Sequence, residues 1–474
     1  MECIDESQVF CPRFKGRGEV YCRSTSRERT LLEHEYLKLY NCDCPFKGAT
    51  HRAAVFPSGL SAIGTVMSAH LLPYAAEKSN VIVLGDELYC DVARTAKNLC
   101  GANPGRMEVV TVDVTDKAAL LGLFKKRGRQ IRLFHFEMCT NPSGKIIDWS
   151  ILPELRLLAP TCTFVCDNTW LSGGSGFNPL LHGADVVVES LTKHLSGGEC
   201  IGGVALGRTE VMKPVLAQVK ILGLFVPADR CRVFAKALTE CPQRIATTSE
   251  TAWRVAKKLE ADPRVGRVMH PFLPSHPSHV LAVRYLDSCK GPSVVWFFVP
   301  VRKREVEKVI DYRKRSTGPL QFLTSYGGPG SRFHSWPKER PEDAYEQRHN
   351  VATEKGTDGS LLTLLTRTIE GWVRFLWPRP AEDSGGKEGS ETMREKSGEP
   401  EQPRIGTWLR LSTGYLEPAE TTLAALDEVL DELLGPLGEA NEEGEGQRRG
   451  GGEGEETAAA GDAEPIGVLQ SHAA

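Results

Sequence analysis

"VVVESLTKHLSGGECIGG", residues 186–203, begins as a buried apolar run and ends in a glycine-rich loop, with Lys193 at the junction. The valines read as a strand covered on both faces. Ser190 and Thr192 just before the lysine, and "SGG" just after it, suit a phosphate held beside an amine. Working outward, the same kind of run recurs as "RAAVF" (52–56), "NVIVLGD" (80–86), "MEVVTVD" (107–113), "IRLFHFE" (131–137) and "CTFVCDN" (162–168). Segments with helical apolar spacing lie between them, such as "PSGLSAIGTVMSAHLLP" (57–73) and "TDKAALLGLFKKRG" (115–128). Short β-rich runs separated by helices predict an α/β fold with a mainly parallel sheet wrapped by helices. Ligands of such sheets gather at the carboxyl ends of the strands.

Beyond residue 230 the pattern loosens. "ETAWRVAKKLEADP" (250–263) and "KREVEKVIDYRK" (303–314) predict helices, and "PSVVWFFVPV" (292–301) predicts a strand. The organisation expected is an N-terminal arm at 1–50, a large domain at 51–230 and a smaller α/β domain at 231–435. The polar, glycine-rich stretch at 337–403 reads as a disordered insertion, with one helical apolar segment at 360–377. Residues 436–474 read as an acidic, glycine-rich tail.

The composition is that of an ordinary globular chain: 474 residues, 41% hydrophobic, 25% charged, formal net charge −3. This balance gives no reason to expect nucleic acid as a partner. No apolar run approaches the roughly 18 residues of a membrane span. With no secretory h-region at the start, the fourteen cysteines read as reduced thiols and the location as cytoplasmic. No metal site is expected: Cys42 and Cys44 lack a second pair at zinc-like spacing.

Asp167 ends one apolar strand and Lys193 follows another. An aspartate at a strand end most often caps a turn. A functional role needs a cation for it to face, and pyridoxal 5'-phosphate asks for this set. It needs a lysine amine, a carboxylate for the pyridine nitrogen, phosphate donors and an aromatic face. "FPSGLSAI" opens a helix at Gly59 and Leu60, whose free N–H groups favour a phosphate. Tyr89, in "GDELYCDVAR", follows another strand and can stack on a ring. Asn141, in "FEMCTNPSG", stands in the same layer, in reach of the cofactor's phenolic oxygen.

At these residues the sequence resembles the Cys/Met-metabolism family of pyridoxal-phosphate enzymes. "CDNTW" with "HGADVVVESLTKHLSGG" is similar to the signature around the cofactor lysine. "CTNPSGKIID", "LTSYGGPGSRFHSWP" and "WLRLSTGYLE" are similar to other family segments. The resemblance implies the fold of type I pyridoxal-phosphate transferases, that of aspartate aminotransferase. It implies Lys193 as the Schiff-base lysine and Asp167 as the pyridinium partner. Gly59, Leu60, Ser190 and Thr192 would bind the phosphate. Tyr89 would stack on the ring and assist proton transfer, and Asn141 would meet the phenolic oxygen. Arg410 would clamp the substrate α-carboxylate, and Ser325 would line the substrate side. Tyr21 and Arg23 would reach a neighbouring subunit's phosphate, making a homodimer or homotetramer.

The activity implied is trans-sulfuration, closest in look to cystathionine γ-synthase: O-activated homoserine reacts with cysteine. Cystathionine γ- or β-lyase, methionine γ-lyase, O-acetylhomoserine sulfhydrylase and an inactive cofactor-binding homologue are the alternatives. Departures from the family pattern fall at Cys90–Val92, at Gly197–Cys200 and at Thr324, which are substrate-discriminating positions.

Overall fold

The structure is a computed structural model and describes residues 26–42, 50–74, 79–287, 290–313, 318–335, 340–341 and 405–437. Tyr21, Arg23, most of the 337–403 insertion with its expected helix, and the tail beyond 437 lie outside the described residues.

Seven strands form one sheet: β1 (His51–Phe56), β2 (Asn80–Gly85), β3 (Met107–Val112), β4 (Ile131–Glu137), β5 (Thr163–Asp167), β6 (Val186–Ser190) and β7 (Gly203–Arg208). Their order is β1-β7-β6-β5-β4-β2-β3. The pairs among β3, β2, β4, β5 and β6 are parallel, as the alternating pattern predicts. β7 is an addition to that reading and runs antiparallel to both β1 and β6. Its sequence "GVALGR" is short and glycine-rich, so it carries little strand signal of its own. It is held by pairing on both sides, which no local pattern reports.

Among the described residues the first ten α-helices in chain order are α1 (Arg27–Leu39), α2 (Gly59–Leu71), α3 (Cys90–Gly101), α4 (Lys117–Arg127), α5 (Leu152–Leu158), α6 (Thr209–Ile221), α7 (Ala228–Leu238), α8 (Cys241–Ala261), α9 (His279–Tyr285) and α10 (Lys303–Arg313). Both faces of the sheet are covered. Val83, Phe134, Phe136, Val187 and Leu206 pack with residues of α1, α4, α5 and α7. Their alternating neighbours Ile82, Leu84, Leu133, Val188 and Ala205 pack with α2, α3 and α6. Burial on both sides explains why these strands read as continuous apolar runs.

A second sheet has the path β10-β11-β13-β9-β8, where β8 is Val268–Met269, β9 is Val294–Val299, β10 is Gln321–Phe322, β11 is Arg332–Ser335 and β13 is Ile405–Ser412. β12 (Arg340–Pro341) pairs with β13. One face, with Phe297, Phe333, Leu409 and Leu411, packs on α8 and on α11 (Ala419–Leu434). The register pairs Arg332 with Ser412 and His334 with Arg410. These four alternate with the core residues, so they occupy the opposite face. The two sheets meet around Lys193.

Candidate functional site

Lys193 follows β6 in a tight loop. Its own N–H bonds Ser190 O, and its carbonyl accepts from Gly197 N. Buried Arg244 donates to Leu195 O at 2.5 Å, which anchors the loop to α8. The Lys193 amine reaches across to the second sheet and donates to Ser325 Oγ at 2.6 Å. Ser325 has φ +86°, a left-handed conformation uncommon outside glycine. Ser412 Oγ holds its carbonyl at 3.2 Å. Gly327 presses on the lysine backbone: a β-carbon there would stand 2.7 Å from the Lys193 carbonyl carbon.

The same amine lies 5.0 Å above the centre of the Tyr326 ring. Tyr326 in turn stacks on Trp170 at 3.9 Å. Burial lowers the Lys193 amine, the cations Arg410 and Arg332 lower it further, and Asp167 opposes them; the amine comes down to about 8. Arg410 is itself buried and donates to Asn141 Oδ1 at 3.2 Å.

Asp167 is buried at the end of β5. Its Oδ1 accepts from the Thr169 N–H at 2.9 Å and from the Thr169 hydroxyl at 2.6 Å. So it does cap the following turn. Burial raises its carboxyl, and the two Thr169 bonds and then the Lys193 charge oppose that rise. Glu137 is its register partner on β4 and is also buried. Glu137 accepts from the Tyr89 N–H at 2.6 Å. Burial and then Asp167 push Glu137 well above the carboxylate range. Of the two acids, Asp167 has a lysine cation opposing the rise, whereas Glu137 is pushed up further by Asp167.

The helix start predicted for an anion is formed. Ser58 and Ser61 make a reciprocal cap, Ser58 Oγ accepting from Ser61 N at 3.1 Å and Ser61 Oγ from Ser58 N at 3.0 Å. This leaves the N–H groups of Gly59 and Leu60 outside the helical ladder. A β-carbon on Gly59 would stand 2.9 Å from Ser190 Cβ, so only glycine lets the helix end come this close to β6. Thr192 is less open than expected. Its hydroxyl bridges Gly202, donating to the carbonyl at 3.3 Å and accepting from the N–H at 3.1 Å. Tyr89 is 45% exposed at the start of α3. Desolvation and then Asp91 push its phenol up to about 12, so it stays protonated at neutral pH.

Two buried networks flank the site. Lys145 lies 3.4 Å from Asp86, 3.7 Å from Glu87 and 3.2 Å from Asp113. Glu87 also accepts from Thr140 Oγ1 at 2.8 Å and from Ser143, which fixes the turn carrying Asn141. On the far side Glu189 accepts from the Tyr36 and Tyr40 hydroxyls and from Gly173 N. That ties α1 to the end of β6.

The structure thus brings together Lys193, Ser325, Arg410, Asn141 and Asp167, with Ser190 beside Gly59. Sequence reasoning missed Glu137, Trp170, Tyr326 and Arg332. Glu137 ends a predicted strand as Asp167 does, which was a usable signal. Tyr326 and Arg332 lie in a quoted segment, but their proximity to Lys193 arises only on folding.

Residues 5–333 match the model of a family described as Cys/Met metabolism PLP-dependent enzyme. The canavanine gamma-lyase of Pseudomonas canavaninivorans is 27% identical over 315 residues, covering 65% of this chain and 71% of that protein. The cystathionine gamma-lyase of Mus musculus is 29% identical over 300 residues, covering 62% and 70%. A solved structure of cystathionine gamma synthase from Xanthomonas oryzae pv. oryzae in complex with cystathionine superposes with TM-score 0.64 at 22% identity, covering 88% of each chain, which establishes the fold. The chain belongs to the Cys/Met metabolism PLP-dependent enzyme family, whose cofactor is pyridoxal phosphate and which includes trans-sulfuration lyases and synthases.

Proposed function

We propose that this member of the Cys/Met metabolism family carries out γ-replacement on an O-activated homoserine with cysteine as the incoming thiol, from the site around Lys193. The observation that carries the reading is the Lys193 amine, lowered to about 8 and 2.6 Å from Ser325 Oγ, facing Asp167 from one sheet and Arg410 from the other. The donor set fits pyridoxal phosphate. It offers an amine, a buried carboxylate with a second oxygen to spare, and a helix start that only glycine could bring against Ser190.

In this reading Lys193 would hold the cofactor aldehyde, Asp167 its pyridine nitrogen and Asn141 its phenolic oxygen. Gly59, Leu60 and Ser190 would hold the phosphate. Thr192 would join them by trading its 3.3 Å bond to Gly202. Tyr89 would cover the ring. When bound, the cofactor supplies an electron sink for the substrate α-carbon. The chain does the rest. Arg410 clamps the α-carboxylate with parallel N–H donors. Lys193 Nζ would take the proton from the α-carbon, hand it on to the cofactor side of the substrate nitrogen, and only then, again a free base, take one from the β-carbon, so that the γ-substituent would leave with its bonding electron pair. An amine near 8 is suited to both holding and releasing a proton at neutral pH. Ser325 Oγ fixes where that amine rests.

The reading keeps Tyr21 and Arg23 as phosphate ligands in a neighbouring subunit of a homo-oligomer. It also keeps a large domain at 51–230, a smaller one at 231–435 and a cytoplasmic location. Among the described residues no helix is long and apolar enough to cross a membrane. The test is product analysis on purified protein with pyridoxal phosphate. Activated homoserine plus cysteine should yield cystathionine, whereas release of a ketoacid from cystathionine alone would favour a lyase. Cofactor binding without turnover on either would favour an inactive homologue.

A further inference from the structure

Beside burial and Arg410, Arg332 lowers the Lys193 amine, but it holds no ligand in the γ-replacement reading. The register of β11 and β13 places it on the same sheet face as Arg410, as a diagonal neighbour. Such neighbours stand about 7–8 Å apart. Its Nη2 lies on Gly328, 2.5 Å from where a β-carbon would be, on the loop that carries Ser325 to the lysine. Among the described residues it has no ion pair or side-chain hydrogen bond, whereas Arg410 bonds Asn141. Glu417, the carboxylate of the neighbouring segment, is taken by Ser331 N at 2.9 Å and by Thr422 Oγ1 at 2.9 Å. The remaining titratable group on this face, His334, is kept uncharged by burial and then by Arg410 and Lys303. Arg332 and Arg410 are both close enough to Lys193 to act on its charge. The mouth of the site therefore carries one cation more than a substrate α-carboxylate uses.

We infer that Arg332 is a second anion subsite, which selects α-amino acids that carry a distal acidic group. This deepens the γ-replacement reading and rests on it, since Arg410 is there the clamp for the first carboxylate. A guanidinium recognises carboxylate or phosphate by parallel N–H donors, so both kinds of distal acid fit. Activated homoserines with a free acid on the leaving group would be taken, and O-acetylhomoserine, which has none, would be disfavoured. A substrate with a cationic end, such as canavanine, would be rejected by like charge.

The experiment is calorimetric titration of the cofactor-loaded protein with L-2-aminoadipate and with L-norleucine. The two have the same chain length and differ in the distal carboxylate. Wild type should bind aminoadipate about 10- to 100-fold more tightly, the ordinary worth of a charge-assisted bond. Arg332→Gln should lose that preference, weakening aminoadipate far more than norleucine, and Arg332→Lys should recover part of it. Equal affinities in the wild type, or a preference that survives in Arg332→Gln, overturn the inference. The visible absorbance of the bound cofactor reports separately on the reading beneath it. A coloured protein with equal affinities sinks the subsite alone, and a protein that never colours sinks both.

Discussion

Lys145 and Lys193 both follow strands of the seven-stranded sheet, and both lose most of their water on folding. Burial alone would drive each amine down. Around Lys145, however, Glu87, Asp86 and Asp113 outweigh burial and hold the ammonium well above its ordinary range. Around Lys193 the neighbours are mostly cations, Arg410 and Arg332, which add to burial, with Asp167 alone opposing; the amine comes down to about 8. One lysine is thus a fixed positive charge that braces the Asn141 turn. The other is an amine that can exchange its proton near neutral pH. What separates structure from chemistry here is the sign of the neighbouring charges, not the degree of burial.

The sharpest way to break this contrast is to remove each lysine. Lys193→Ala should lose turnover by at least roughly 10³-fold, with its melting temperature close to that of the wild type. Retained turnover would make the lysine a bystander. Lys145→Met should do the reverse. It leaves Asp86, Glu87 and Asp113 facing one another, and denaturant unfolding should show a loss of about 3–5 kcal/mol. A loss under ~1 kcal/mol would mean that the three acids simply take up protons.

The cationic half of the comparison is sharpened by Arg410→Met. Removing that charge should let the Lys193 amine rise from about 8 towards the ordinary lysine value. The pH dependence of acylation of this amine, followed by mass spectrometry on cofactor-free protein, reads the shift. An unchanged or lower midpoint would show that Arg410 has no part in setting it.

The smallest effect is expected at Glu189, a buried acid bonded to two tyrosines with no cation among those partners. Burial raises it from 4.5 to about 8. A raised acid gives stability that is complete below about 4.5 and is lost as pH climbs through about 8. The melting temperature of the wild type should therefore fall across that window, and that of Glu189→Gln should fall by less, a difference of about 5 °C. Parallel curves would place the ionisation elsewhere.

Much of this was legible in the sequence. Lys193 and Asp167 announce themselves because strand ends in a parallel sheet are where ligands meet the chain. Gly59 does so because a Ser-Gly pair after a strand opens a helix. Arg410 and Ser325 came through resemblance to family segments. Trp170, Tyr326 and Arg332 did not come at all. Tyr326 and Arg332 act on Lys193, and Trp170 stacks on Tyr326, through contacts as distant in sequence as the Lys193–Ser325 bond, which joins residues 132 positions apart. No local periodicity encodes such a pairing. Strand β7 failed for a related reason, since "GVALGR" becomes a strand only between β1 and β6.

The amine stands on one sheet and the Arg410 guanidinium on the other, joined by single bonds such as Arg410 to Asn141 at 3.2 Å. A substrate gripped at both ends would act as a tie rod across that seam. Filling the site should then stiffen the joint between the two sheets, and limited proteolysis of the loops around it should slow in proportion to occupancy.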